Sequence, residues 1–211
     1  MTVEAMICIF AKPPLAGEVK TRLAAALGAD GAARLARAFL DDTIESVRAL
    51  PWALPALAST VPVTADVAVL LQGEGDLGER IERVLRAALE QAPIAIAIGA
   101  DTPALPSRLL ESARIALEEV DVAIGPAEDG GFYLLALRHC PEGLLRDLPW
   151  SSVDTLRAAL KRLRALGLRT RLLDPWFDVD RAEDLDRLAT LIEQRALCAP
   201  RTALVLADLG R

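Results

Sequence analysis

The sequence predicts an α/β protein, a mostly parallel sheet with helices on both faces. Three observations predict it. Apolar runs of strand length alternate with amphipathic stretches of about 12 to 20 residues, the pattern of repeated β-α-β units. The run Ile94-Ala-Ile-Ala-Ile98 has no polar residue and three β-branched ones, as a strand buried on both faces requires. The chain has 211 residues, 53% of them hydrophobic, enough for one large core. The expected organisation is one three-layer α/β/α domain over 1–198, followed by a C-terminal extension of unclear role over 199–211.

In order, residues 5–10 form a first strand that empties into 11–22, a loop with two prolines, Gly17, Lys12, Lys20 and Arg22. A helix over about 31–50 follows, with Leu35, Ala38, Phe39, Ile44 and Val47 at helical spacing. Pro51 and Pro55 interrupt the chain before strands at 56–60 and 67–71. The Gly-rich turn 72–79 opens a helix reaching about Gln91. After the buried strand 94–98, Gly99 permits a sharp exit, Pro103 and Pro106 stop extension, and a helix runs to about Glu119. Strands at 122–124 and 132–137 flank the turn 125–131, and Ser151 to Asp154 read as a capping start for a helix to about Leu166. A last strand at 169–173 precedes a final amphipathic helix opened by 178–185. Beyond Cys198 only 203–206 reads as structured, as a short strand.

Composition narrows the function. A net charge of −6 argues against nucleic acid or an anionic membrane as partner, although a local basic cluster can still hold a phosphate. Cys8, Cys140 and Cys198 form no C-x-x-C pair, which suits packing roles in a reducing compartment. One histidine, His139, excludes any three-His metal site. No run reaches ~18 apolar residues and the N-terminus lacks a basic region, so neither a membrane span nor a signal peptide is expected, and the expected location is the cytoplasm. Apolar Ala/Leu faces leave room for a homodimer.

Two phosphate motifs are near misses. Gly17-x-x-Lys20-Thr21 lacks the first glycine and the spacing of a P-loop. Gly73-x-Gly75-x-x-Gly78 matches a dinucleotide fingerprint, but Glu74 and Asp76 stand where a pyrophosphate would sit. One like-charge contact at about 4 Å is worth on the order of 4 kcal/mol at an effective dielectric near 20. What remains is a basic loop after the first strand and carboxylates after later ones: Asp101, Asp129 and the pair Asp178 and Asp180. Taken singly, each suits a turn or a helix N-terminus. Together at one sheet edge they repel each other and any phosphate, a penalty that a divalent cation removes, and oxygen ligands favour Mg2+ or Mn2+.

Several stretches together resemble one family: 10–23 (Phe-Ala-Lys-Pro-Pro-Leu-Ala-Gly-Glu-Val-Lys-Thr-Arg-Leu), 72–80, Gly99 to Pro103, 125–133, Trp150 to Ser152 and 178–185. In this order they resemble the GT-A-like nucleotide-diphospho-sugar transferase superfamily. Within it they resemble the bacterial DUF2064 family of glycosyltransferases, associated in part with arsenosugar biosynthesis. The resemblance implies a single-domain GT-A/Rossmann-like fold with Lys12, Lys20 and Arg22 along the nucleotide phosphates. Phe10, Ala11, Gln72, Asp76 and Gly78 would line the nucleotide pocket. Asp101 and Asp180 would be the ligands of Mg2+ or Mn2+, and Asp129 would face the sugar or acceptor. Two departures are a short region over 51–67 and the segment from Ala199, which extends past the family pattern as a tail or dimer arm. The expected activity is glycosyl transfer from an NDP-sugar to an unknown acceptor. There Lys20 and Arg22 would offset leaving-group charge and Asp129 would act as general base. Alternatives are nucleotidyl transfer from an NTP to a phosphorylated acceptor, and a non-catalytic nucleotide-binding protein.

Overall fold

In the computed structural model, which describes residues 3–103 and 105–211, the chain runs β1 (Ala5–Ala11), α1 (Thr21–Arg48), β2 (Ala53–Ser59), β3 (Ala68–Leu71), α2 (Leu77–Leu89), β4 (Ile94–Gly99), α3 (Ser107–Ala116), β5 (Val122–Pro126), β6 (Phe132–Leu137), α4 (Thr155–Ala165), β7 (Thr170–Leu172), α5 (Ala182–Glu193) and α6 (Pro200–Asp208). The strands form one sheet in the order β3-β2-β1-β4-β6-β5-β7. It is parallel except for β6, which runs antiparallel to both β4 and β5. The expected α/β class with a mostly parallel sheet is the observed one.

The alternation Ile-Ala-Ile-Ala-Ile in β4 sorts the two helical layers. Ile94, Ile96 and Ile98 pack with Ile7, Ile9, Val47, Leu109 and Leu110 on the face covered by α1 and α3. Ala95 and Ala97 point the other way, with Cys8, Val84, Leu85, Ala88 and Leu163, where small side chains let α2 lie close. Each isoleucine so buried contributes about 1.5–3 kcal/mol. The chain order reverses between β1 and β4, and ligands of such sheets collect outside the carboxyl ends at that reversal. Because β6 is antiparallel, the β5–β6 turn opens on this same edge.

Three local expectations are corrected. Helix α1 begins at Thr21, ten residues before the expected Gly31, and continues through a break at Gly28 (φ 75°). Pro55 does not interrupt β2 but lies within it opposite Ile7. Pairing with β3 begins only at Ala56, so the ladder there has an open side for a residue lacking an N–H. Finally, the segment read as a strand at 203–206 is helix α6. Its Leu206 joins Leu23, Leu35 and Phe39 in a third apolar cluster, so the end of the chain is docked on α1.

That docking has a buried polar clasp, beside an exposed ion pair between Arg34 and Asp208 at 2.7 Å. The Asp42 carboxylate, fully buried on α1, accepts from Arg201 N at 3.1 Å and Thr202 N at 2.8 Å, satisfying two free amides of the α6 N-terminus. Asp42→Ala leaves those amides buried without a partner. We expect a loss of about 2–3 kcal/mol, read as a melting temperature lower by ~5–10 °C in thermal denaturation; an unchanged melt would show that the Asp42 clasp adds nothing to the docking of α6.

Candidate functional site

Three loops meet at the carboxyl edge of the sheet, and the backbone stitches them together. β4 ends opposite β1, with Ala100 N donating to Phe10 O at 3.0 Å. The turn that follows carries Asp101 and is closed by Thr102 Oγ1, buried, donating to Gly99 O. Asp101 O in turn accepts from Val179 N at 2.9 Å, which fixes the segment before α5 against the end of β4. Trp176 N donates to Pro126 O and Glu128 N to Trp176 O, which ties in the β5–β6 turn with Asp129. The Asp184 carboxylate accepts from the amides of Asp180 and Arg181, capping α5 and holding Asp180 at its mouth.

Lys20 joins these pieces. Its Nζ lies 2.6 Å from Asp101 Oδ1 and 2.9 Å from Asp180 Oδ1, and donates to Val179 O at 2.7 Å. Its side chain is 5% exposed against 59% for Asp101 and 43% for Asp180, so the ammonium is the buried centre and the acids are its rim. Burial by itself would lower the Lys20 pKa, but attraction to Asp101 and Asp180 outweighs it and the pKa lies above the usual lysine value. The lysine is therefore charged at any physiological pH. Its backbone is left-handed (φ 47°, ψ 43°), an uncommon conformation for a residue with a Cβ, at the entrance to α1. Arg22 Nη1 approaches Asp180 Oδ2 at 3.9 Å from an exposed position.

Above this floor opens a cleft of about 810 Å3. It brings together Phe10, Ala11, Lys12, Lys20, Arg22, Gln72, Asp101, Asp129 and Asp180, drawn from separate connections along the chain. Ser151, Ser152 and Val153 form another wall. That wall touches the Asp129 turn through Gly130 (φ 91°), where a Cβ would fall 2.4 Å from Val153 O. Asp129 is exposed, and its Oδ1 accepts from Gly131 N at 2.9 Å.

The sequence profile of the DUF2064 family, described as an uncharacterized protein conserved in bacteria, matches residues 34–152. A solved structure of a provisionally assigned nucleotide-diphospho-sugar transferase from Desulfovibrio desulfuricans G20 is 31% identical, with 98% of this chain and 95% of that one covered at a TM-score of 0.86. The chain belongs to the DUF2064 family. More distant structures share the fold. CMP:2-keto-3-deoxy-manno-octonic acid synthetase in complex with CTP is 15% identical, covering 91% of this chain and 99% of that one at a TM-score of 0.59. The 2-C-methyl-D-erythritol 4-phosphate cytidylyltransferase of Thermus thermophilus is 18% identical, covering 92% and 100% at 0.53. Among curated proteins no relative matches.

In this DUF2064 protein two expected pocket residues do other work. Asp76 does not line the cleft; its carboxylate accepts from Glu79 N while Glu79 accepts from Asp76 N, a reciprocal cap on α2. Gly78 also lies outside the cleft, packed so that a Cβ would meet Leu145 O at 2.5 Å. Their places on the wall go to Leu77 and Arg80. Gln72 does border the cleft, although its Nε2 is committed to Ala58 O at 2.8 Å. Among the described residues no group of three His, Cys, Asp or Glu side chains is arranged to hold a metal ion. Two carboxylates can serve Mg2+, whose other positions are filled by water and substrate phosphate, and Asp101 and Asp180 each keep a second oxygen beside the Oδ1 that pairs with Lys20.

Of the pair Asp178 and Asp180, sequence reasoning gives a role only to Asp180, and the structure singles out Asp178 as well. Burial, then the charges of Asp101, Asp129 and Asp180, push its carboxyl up to about 7, against a smaller opposing pull from Lys20. Below pH ~4 it is neutral in folded and unfolded chains alike and costs nothing. Between there and about 7 the folded protein holds a proton that the unfolded chain has released, so stability falls as pH rises and stays lowered above. Asp178→Asn removes a destabilisation of up to ~4 kcal/mol. In metal-free buffer we expect its melting temperature to exceed wild type by several degrees at pH 8 and to match it at pH 4; equal melts at both would refute the convergence of four carboxylates.

Proposed function

We propose that this protein is a transferase acting on a nucleotide-activated donor, and specifically a glycosyltransferase using an NDP-sugar. The observation that carries the reading is the Lys20 ammonium buried between Asp101 and Asp180 at the floor of a cleft that Lys12 and Arg22 also line. The family assignment and the relative with which it shares 31% identity support the same class. In this reading Lys12, Lys20 and Arg22 attract the diphosphate and offset the charge that grows on it as the sugar leaves. Asp101 and Asp180 would hold Mg2+ or Mn2+, which supplies further neutralisation of that diphosphate. Asp129 keeps one oxygen on Gly131 N, which orients the carboxylate to take the proton of an acceptor hydroxyl entering from the Ser151–Val153 side. Phe10, Ala11 and Gln72 border the nucleoside.

A second reading, nucleotidyl transfer to a phosphorylated acceptor, is favoured by the synthetase and cytidylyltransferase that share the fold. It needs the same cations and no general base. The two readings part at the product. Purified protein is incubated with NDP-sugars and NTPs, each with phosphosugar or sugar acceptors and Mn2+ or Mg2+. Released nucleoside diphosphate is expected, whereas released pyrophosphate would establish nucleotidyl transfer. Lys20→Met is expected to reduce turnover by roughly 10²- to 10³-fold, the usual cost of a positioned charge. Should Asp101→Ala bind nucleotide as tightly as wild type both with and without Mn2+, the cleft would not be a donor site.

A further inference from the structure

We infer that Arg80 is a phosphate-binding residue of the cleft, its guanidinium taking the diphosphate of a nucleotide-linked ligand. This rests on the donor reading above. Arg80 stands in the first turns of α2, next to Glu79 of the reciprocal cap, and lines the cleft with Gln72 and Leu77. The cap fixes the first turn of the helix and so the direction from which the arginine enters.

The three arginines of α2 differ in what they touch. Arg83 Nη1 donates to the Gln72 carbonyl, and Arg86 pairs with Glu82. Arg80 Nε is buried and, among the described residues, meets no hydrogen-bond acceptor. The Nε is out of a ligand's reach, but the terminal nitrogens of Arg80 make no hydrogen bond or ion pair among the described residues, and on a cleft wall they are free for an acceptor that arrives with the ligand. Nearby charge identifies the acceptor. Lys12, Lys20, Arg22, Arg80 and Arg181 line the cleft against Glu18, Asp101, Asp129 and Asp180, with Asp178 close by, a concentration of cations in a chain whose net charge is −6. The acids Asp101 and Asp180 are already matched to Lys20 and Arg22. A guanidinium offers a planar fork of donors that fits two oxygens of one phosphoryl group, which a point charge such as lysine does not. Arg80 thus grips the phosphates from the α2 wall, separately from the Lys20 floor.

The test is calorimetric titration of ADP, CDP, GDP, UDP and dTDP, and of the five parent nucleosides, in Mg2+ buffer. Wild type, Arg80→Met and Arg80→Lys are compared, with thermal melts of each. Methionine keeps the apolar stem and removes the fork; lysine keeps the charge alone. For the diphosphate that binds wild type, Arg80→Met is expected to weaken affinity roughly 10- to 100-fold and Arg80→Lys to fall between. Nucleoside affinity should change less than about 2-fold, and the melts should not fall. Equal diphosphate affinity in Arg80→Met would overturn the assignment and leave the donor reading standing. Parallel loss of diphosphate and nucleoside binding with lowered melts would assign Arg80 a structural role instead. If none of the five binds wild type, the donor reading fails and the Arg80 assignment with it.

Discussion

A charged ammonium removed from water must find its counter-charges close by, and Lys20 finds them on two segments that are distant in sequence. Its side chain is almost wholly buried, and the attraction of Asp101 and Asp180 exceeds the cost of that burial. For both pairs to form, the turn after β4 and the segment before α5 must be in register, which the hydrogen bond from Val179 N to Asp101 O enforces. The Lys20 backbone is left-handed at the start of α1. The floor of the cleft follows from this one cluster. A carboxylate nearby that does not reach the ammonium, Asp178, keeps a raised affinity for protons.

The strands could be read from the sequence because their signal is local. An uninterrupted apolar run such as 94–98 has few alternatives in a chain rich in β-α alternation, and the carboxylates Asp101 and Asp180 follow from position relative to strand ends. What was not legible depends on partners far along the chain. The early start of α1 is concealed by Gly28. The docking of α6 depends on Asp42, which lies in the middle of another helix and in sequence is merely a polar residue on an amphipathic face. Pro55 reads as a strand breaker until the stagger of β3 is known.

The site divides along the same line. Lys20, Asp101, Asp129 and Asp180 sit in loops, where a charged residue stands out. Asp76 and Gly78 also sit in a glycine-rich stretch, and position alone does not separate a residue that meets a ligand from one that caps the next helix. Arg80 is concealed in the opposite way. It belongs to a helix whose other arginines, Arg83 and Arg86, serve the protein itself, so sequence periodicity files it with them. Only its lack of a protein partner on the cleft wall separates Arg80 from them.

The reversed strand β6 has a consequence for how this architecture can diversify. Because β5 and β6 are hydrogen-bonded neighbours joined by a hairpin, residues can be gained or lost at its tip without shifting the pairing of either strand with β4 or β7. The tip carries Asp129 and abuts the Ser151–Val153 wall of the cleft. One rim of the cavity can therefore be recast in length and chemistry while the Lys20 cluster stays as it is. A lineage built on this plan could change what that rim meets by rewriting a handful of codons.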